Sequence, residues 1–209
     1  MTEERTSPTD GRRQRWAAHR IARRAELINA VLDTVRQDGP AVDMEQVRRT
    51  SGIAKQVFYR YFDDKADLYA AAGREVGERL VTAVVIAVDA DGEPRDLLAR
   101  GIDAFLGVVE AEPDLYRFAL RSPAASSTAV GDHGQVVGLH VSRLIGDLLR
   151  ADGQDSGSAE PWGFAIVGAV RAAAERWLDE PVLSRAALGA YLTDLLWDGA
   201  GAATRAQAG

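Results

Sequence analysis

Apolar residues return every three or four positions along almost the whole of this chain, and nowhere do they alternate for long enough to make a half-buried strand. That pattern restricts the fold to helices packed on helices. Ile21, Ala25, Ile28, Leu32 and Val35 step by four, three, four and three, one stripe of a first helix that Gly39-Pro40 ends. Asp43 offers an N-cap with Gln46 three residues on, the pattern of a capping box, and a short helix through Val47 follows. Ser51-Gly52 breaks it. A second short helix is predicted from about Ala54 to Phe62, and Asp63 and Asp64 then place acid at the positive start of a longer one. Further helices are predicted around Leu98, Ile102, Phe105 and Val109, in "DLYRFAL", in "QVVGLHVSRLIGDLLR", and at about 162–178 and 184–200, each set off by turn-forming segments such as "DADGEP" and "ADGQDSGSAE". The reading is an all-α protein of about nine helices, with polar ends at 1–11 and beyond about 202 left disordered.

Charge is divided unevenly over this frame. The chain of 209 residues carries a net −6, yet residues 1–65 hold 13 Lys/Arg against 10 Asp/Glu and the remainder 12 against 21, so +3 meets −9. A small module suited to polyanions attached to a larger body that is not is the natural expectation. The run "GRRQRWAAHRIARRA" concentrates six arginines and a histidine with no acid. With no cysteine, disulfides and thiolate metal sites are excluded. The start has no apolar leader and the longest apolar runs are far too short to span a bilayer, so a cytoplasmic protein with no membrane partner is expected.

The segment "SGIAKQVFYRYFDDK" holds both lysines of the chain, Lys55 and Lys65, beside four rings at positions 58–62. Two short helices joined by a glycine turn make a helix-turn-helix. Gly52 must let the backbone bend, while Val47, Ile53, Phe58 and Tyr61 must face inward. The other side of the second helix then carries Lys55, Gln56, Tyr59 and Arg60, a compact set of donors on an element narrow enough for a major groove. Lys65, at a helix start, joins the free backbone N–H groups there in holding a phosphate.

The stretch "VDMEQVRRTSGIAKQVFYRYFDDKADLYAA", with Gly52, Lys55, Tyr59, Phe62, Lys65 and Leu68 in register, resembles the TetR-type transcriptional regulators over roughly residues 20 to 70. The resemblance implies a disordered basic arm at 1–15, a helix-turn-helix DNA-binding domain at 16–66, a helical effector-binding and dimerisation domain at 67–203, and a disordered tail at 204–209. It places Arg48, Thr50, Lys55, Gln56, Tyr59, Arg60 and Lys65 on DNA. It makes the last two helices a homodimer interface, with Phe164, Val167, Ala174, Leu188, Leu192 and Leu195 in the contact, and it implies a near-palindromic operator in double-stranded DNA. Two positions depart from the family pattern. The usual capping Ser is Ala54, which forfeits a cap of about 0.5–2 kcal/mol. The usual small residue in the first motif helix is Arg48, which must snorkel outward or reach a phosphate.

Other constellations point to no chemistry. His133 and His140 stand seven apart without a metal-ligand pattern around them, so neither metal nor cofactor is expected. Glu110, Glu112 and Asp114 read as a solvated helix end, and no nucleophile elbow or phosphate loop is present, so no enzyme is expected. "GIDAFLGVVEAEPDLYRFALRS" lines up Phe105, Val109, Tyr116 and Leu120, flanked by Arg117 and Arg121. The segment is also similar to regulators of lipid metabolism, and the resemblance implies a cavity here for a small hydrophobic effector of acyl type, with Arg121 or Arg117 meeting its carboxylate or phosphate. The expected protein is a ligand-responsive repressor. A helical ligand-binding or scaffold protein that has lost DNA binding through Arg48 is the alternative.

Overall fold

The computed structural model describes residues 8–89, 91–121 and 129–207, with side chains over 16–89, 91–121 and 133–199. Among these residues the chain forms nine helices and no strand: α1 Pro8–Asp38, α2 Met44–Ser51, α3 Lys55–Phe58, α4 Lys65–Val88, α5 Pro94–Ala111, α6 Pro113–Arg121, α7 Ala129–Ala151, α8 Ala159–Asp179 and α9 Arg185–Gln207. No helix here is long and apolar enough to cross a membrane.

Two cores hold the helices. The first takes Leu27, Val31, Leu32 and Val35 from α1, Val47 from α2, Phe58 and Phe62 from the α3 region, and Leu68, Ala72 and Val76 from α4. It is completed by Leu115, Phe118 and Ala119 of α6. The second joins Ile102 and Leu106 of α5 to Val170, Ala174 and Trp177 of α8 and Leu192 of α9. The α7 and α8 helices approach until their backbones nearly meet: a Cβ at Gly163 would lie 2.3 Å from Ser142 Oγ and 2.8 Å from the Gly138 carbonyl. Thus Gly163 belongs to an interface inside the protomer, whereas a Cβ at Gly168 would meet open space.

The expected boundaries shift in four places. Helix α1 begins at Pro8, so residues 8–15 are helical and not a disordered arm. Its buried face is Leu27, Val31 and Thr34, whereas Ile21 is 70% exposed and Ala25 is exposed too. The stripe counted from Ile21 starts before the helix reaches the body. A border at residue 66 would cut the continuous α4, and the first core needs α6, so the module does not close on itself. At the other end α9 continues to Gln207, through residues expected to be a disordered tail. Ala200, Ala202, Ala203 and Ala206 favour helix there, because Ala loses the least entropy.

Candidate nucleic-acid interface and effector cavity

The turn that aims the first site is built from local capping. Asp43 accepts the N–H groups of Glu45 and Gln46 at 2.8 and 2.9 Å, and the Gln46 side chain accepts from the Asp43 N–H at 2.7 Å, closing the capping box. Those bonds, the Gln46 N–H foremost, hold the Asp43 carboxyl below its ordinary pKa. Gly52 ends α2 at φ +68°, a left-handed conformation that a side chain resists, and its N–H returns to the Arg48 carbonyl at 3.0 Å.

Helix α3 is shorter than expected. Its regular part is Lys55–Phe58, and it continues to Phe62 as tight turns, with Arg60 N–H on the Val57 carbonyl and Tyr61 N–H on that of Phe58. Ala54 supplies no side-chain cap at its start, and at its end Arg24 withdraws the Tyr61 carbonyl, Nη1 donating to it at 2.7 Å. The expected two faces nevertheless stand. Phe58 is wholly buried and Phe62 nearly so, with Ile53 and Tyr61 packed on the same core. Lys55, Gln56, Tyr59 and Arg60 are exposed together. Lys55 Nζ lies 5.9 Å from the Tyr59 ring centroid, so ring and cation form one edge of the face.

Arg24 was not singled out by the sequence, and it fastens this element. Its guanidinium lies 4.0 Å over the Phe62 ring, and Nη2 is 3.7 Å from Asp67 of α4. One side chain thereby joins α1, the end of α3 and the start of α4. In a run of six arginines the sequence offers no mark that distinguishes this one. Lys65 opens α4, its Nζ 4.9 Å from the Tyr69 ring, and the Asp64 side chain caps the helix by accepting the Asp67 N–H at 2.8 Å. The Tyr69 hydroxyl donates to the Val42 carbonyl, and burial pushes its pKa up to about 12.

Arg48 neither distorts the helix pair nor enters it. Its Nε donates to the Glu45 carboxylate at 3.0 Å on the exposed side of α2. Thr50 sits half-buried on the same helix.

The second site is a cavity of about 510 Å³ lined by residues of α4 to α9. Its walls are apolar, with Leu80, Val84, Leu98, Phe105, Val141 and Ile166 among them. Of the expected pocket residues, Phe105, Tyr116 and Leu120 line it, the Phe105 and Tyr116 rings meeting edge to face at 6.0 Å. Val109 and Arg121 do not. Val109 is fully buried outside the lining, and Arg121 is exposed at the end of α6. Arg117 is also elsewhere, donating to the Leu178 carbonyl at 2.8 Å and facing Asp179 and Asp114. An i+4 count groups these residues on one stripe, but α5 and α6 are separate helices broken at Glu112 and present different sides.

Polar residues along the cavity wall include Tyr116, expected there from the sequence, and Arg171 and His133, which were not. Tyr116 Oη is buried beside the Glu175 carboxylate, and burial, then that charge, raises its pKa. Arg171 lines the wall with its Nε 3.0 Å from Glu175 Oε1. His133 packs on Gly77 of α4, where a Cβ would come within 2.5 Å of its ring, and its buried Nδ1 has no hydrogen-bond partner among the described residues. His140 instead meets Asp89 at 2.8 Å, so the two histidines serve different contacts. The carboxylates at the α5–α6 junction face cations: Glu110 and Glu112 meet Arg185 and Arg36, and Asp114 meets Arg117.

The last two helices divide the expected interface residues. Ala174 and Leu192 are buried in the second core, and the half-buried Leu188 packs against it. Val167 is half-buried and lines the cavity. Phe164 and Leu195 face outward, the latter 68% exposed, and Tyr191 joins Leu195 on the outer side of α9. A sequence spacing of three and four fixes which residues share a face but not which face meets a second molecule.

A helix-turn-helix with a solvent-facing donor row, joined through α4 to a helical body around an apolar cavity, defines a DNA-binding transcriptional regulator with a ligand domain. The chain belongs to the TetR family. Residues 27–72 match the model of the bacterial regulatory proteins of the tetR family, and residues 83–209 match that of the tetracyclin repressor-like C-terminal domain. An uncharacterised HTH-type transcriptional regulator of Mycobacterium tuberculosis is 33% identical over 194 residues, 92% of this chain and 83% of that protein. The HTH-type transcriptional activator FasR of Mycolicibacterium smegmatis is 25% identical over 179 residues, covering 84% and 82%. The crystal structure of the regulator FadR from Bacillus subtilis in complex with stearoyl-CoA shares the fold, with a TM-score of 0.68 at 14% identity over 82% of this chain and 96% of that one.

Proposed function

We propose that this regulator is a homodimeric repressor that holds a near-palindromic duplex operator through α3 and releases it when a hydrophobic, acyl-type molecule fills the cavity. The observation that carries the proposal is the span of α4. Its first residue, Lys65, stands beside the donor face, and Gly77, Leu80, Val81, Val84 and Val88 farther along it line the cavity. A ligand that prefers one placement of α4 therefore biases the placement of α3, which is all that coupling requires. Lys55, Gln56 and Arg60 read base edges, while Tyr59 and Lys65 hold phosphates. The outer sides of α8 and α9, with Phe164, Tyr191 and Leu195, bring two copies together so that their recognition elements fall about 34–36 Å apart, and ligand widens that spacing.

Ligand chemistry follows from the walls. A cavity of this size suits a small molecule, and its apolar lining leaves a sugar's hydroxyls unpaired. The polar groups at Tyr116, His133 and Arg171 suit one polar end of an otherwise apolar chain. The stearoyl-CoA bound to FadR is in keeping with this class.

Thermal-shift screening tests it. Fatty acids or acyl thioesters are expected to raise the melting temperature and to release a bound duplex, and Phe105→Trp, by filling the cavity, is expected to remove both effects. Stabilisation by polar metabolites alone, with Phe105→Trp indifferent, would overturn the ligand assignment.

A further inference from the structure

Helix α1 overhangs the body. Arg24 marks where it leaves, since that side chain grips Tyr61, Phe62 and Asp67 at the α3–α4 junction. Residues 8–23 continue beyond it as helix, roughly 24 Å at about 1.5 Å per residue. Every residue from 16 to 22 is exposed, Trp16 at 74%. The overhang leaves at the junction that also carries Tyr59 and Lys65.

Its inward side can be followed by counting. Leu27, Val31 and Thr34 are wholly buried and define the face of α1 that looks into the protein. Stepping back from Leu27 by four, three, four and four gives Arg23, Arg20, Trp16 and Arg12, all on that same face by helical spacing. Over the body this face is apolar, and past its edge it turns cationic. From Gly11 to Ala25 the sequence sets no acid beside the six arginines, and among the described side chains Arg23 pairs with Glu26 and Arg24 with Asp67, while Arg20 is exposed. A cationic face continuing the side that carries the phosphate anchors calls for a polyanion lying under both.

We propose that the α1 overhang lies along the DNA flanking each half-site and contacts its phosphates through Arg12 and Arg20, with Trp16 packed against the backbone between them. This rests on the DNA-binding reading above and adds an outer zone to it. A helix about 10–12 Å wide does not fit a minor groove about 6 Å wide, so the contact runs across the phosphates and adds affinity without reading sequence.

The test measures binding to a duplex selected by the wild-type protein, as a function of salt concentration, for the full-length wild type, Arg12→Gln/Arg20→Gln and Arg12→Lys/Arg20→Lys. Gln is a good helix former, and circular dichroism checks that helix content is kept. The Gln pair is expected to flatten the slope of log K against log salt by about 0.9 for each phosphate no longer neutralised, roughly 2 per protomer, and to shorten the protected footprint at both outer ends. The preferred sequence should stay the same, and the Lys pair should keep the slope. Trp16 gives a second readout: its share of acrylamide quenching, found by comparison with Trp16→Phe, should fall when duplex is added. A Gln pair with wild-type slope and footprint overturns the proposal, and so does a Lys pair that loses as much as the Gln pair. Wild-type protein that binds no duplex at any salt would instead overturn the DNA-binding reading beneath it.

Discussion

Gln56 and Lys65 are both polar residues beside the same turn, and the physics of their positions separates what each contributes. Gln56 projects from the exposed face of α3, and the expected contact of an amide so placed is a bidentate pair with adenine in a major groove. Lys65 is tethered at the start of α4, with Nζ resting near the Tyr69 ring, and offers a charge with no directional pattern. Lys65→Ala and Tyr59→Phe are therefore expected to weaken binding evenly across sequences, and Lys65→Ala to lower its salt dependence as well. Gln56→Ala is expected to relax preference at one base pair by about 1–3 kcal/mol. A binding-site selection with each variant distinguishes the patterns, and an unchanged preferred sequence for Gln56→Ala would remove it from the reading face. The donor face was legible in the sequence, because its aromatic counterweight, Phe58 and Phe62, recurs at helical spacing. Arg24 was not, because a contact across 37 residues leaves no periodic trace.

At the scale of elements, α9 shows one helix with two employments. Leu192 is buried in the second core, while Leu195, three residues on, is largely in solvent. Their chemistry is identical and their surroundings are opposite. Leu195→Asp is expected to give a folded protein that sediments as a monomer and has lost operator binding. Leu192→Asp places a charge in a dry core and is expected to destabilise the fold itself, by several kcal/mol. Sedimentation together with thermal denaturation checks both. Monomers from Leu192→Asp with an unchanged melting temperature, or stable dimers from Leu195→Asp, would contradict this division of the helix. Helix existence and order were legible from periodicity. Which side of α9 is inner was not, since its apolar residues occur all round.

Across the whole molecule, α4 runs unbroken from the DNA-facing turn to the cavity wall, and α6 closes the first core while Tyr116, Ala119 and Leu120 on it line the cavity. Two helices thus belong to both sites. Coupling carried in this way is reciprocal in free energy. Operator duplex is expected to lower the affinity for an acyl-type ligand by the same factor by which that ligand lowers affinity for the duplex, measured by calorimetric titration with and without duplex. A ligand affinity unchanged by duplex would mean that the two sites are not coupled.

The sequence by itself determined the helices, the capped turn at Asp43 and Gly52, and the two faces of α3, because each depends on residues within a turn or two of one another. Only the tertiary structure decided what helices present to other helices: that Val109 is core and Arg171 a cavity wall, that Leu192 turns in and Leu195 out, that Arg117 faces Asp179 and not a ligand. Periodicity fixes rotation within a helix to its own axis. The placement of one axis against another is set by close packing, as at Gly163 against Ser142 and Gly77 against His133, and that complementarity joins positions too far apart in the chain for any local pattern to record.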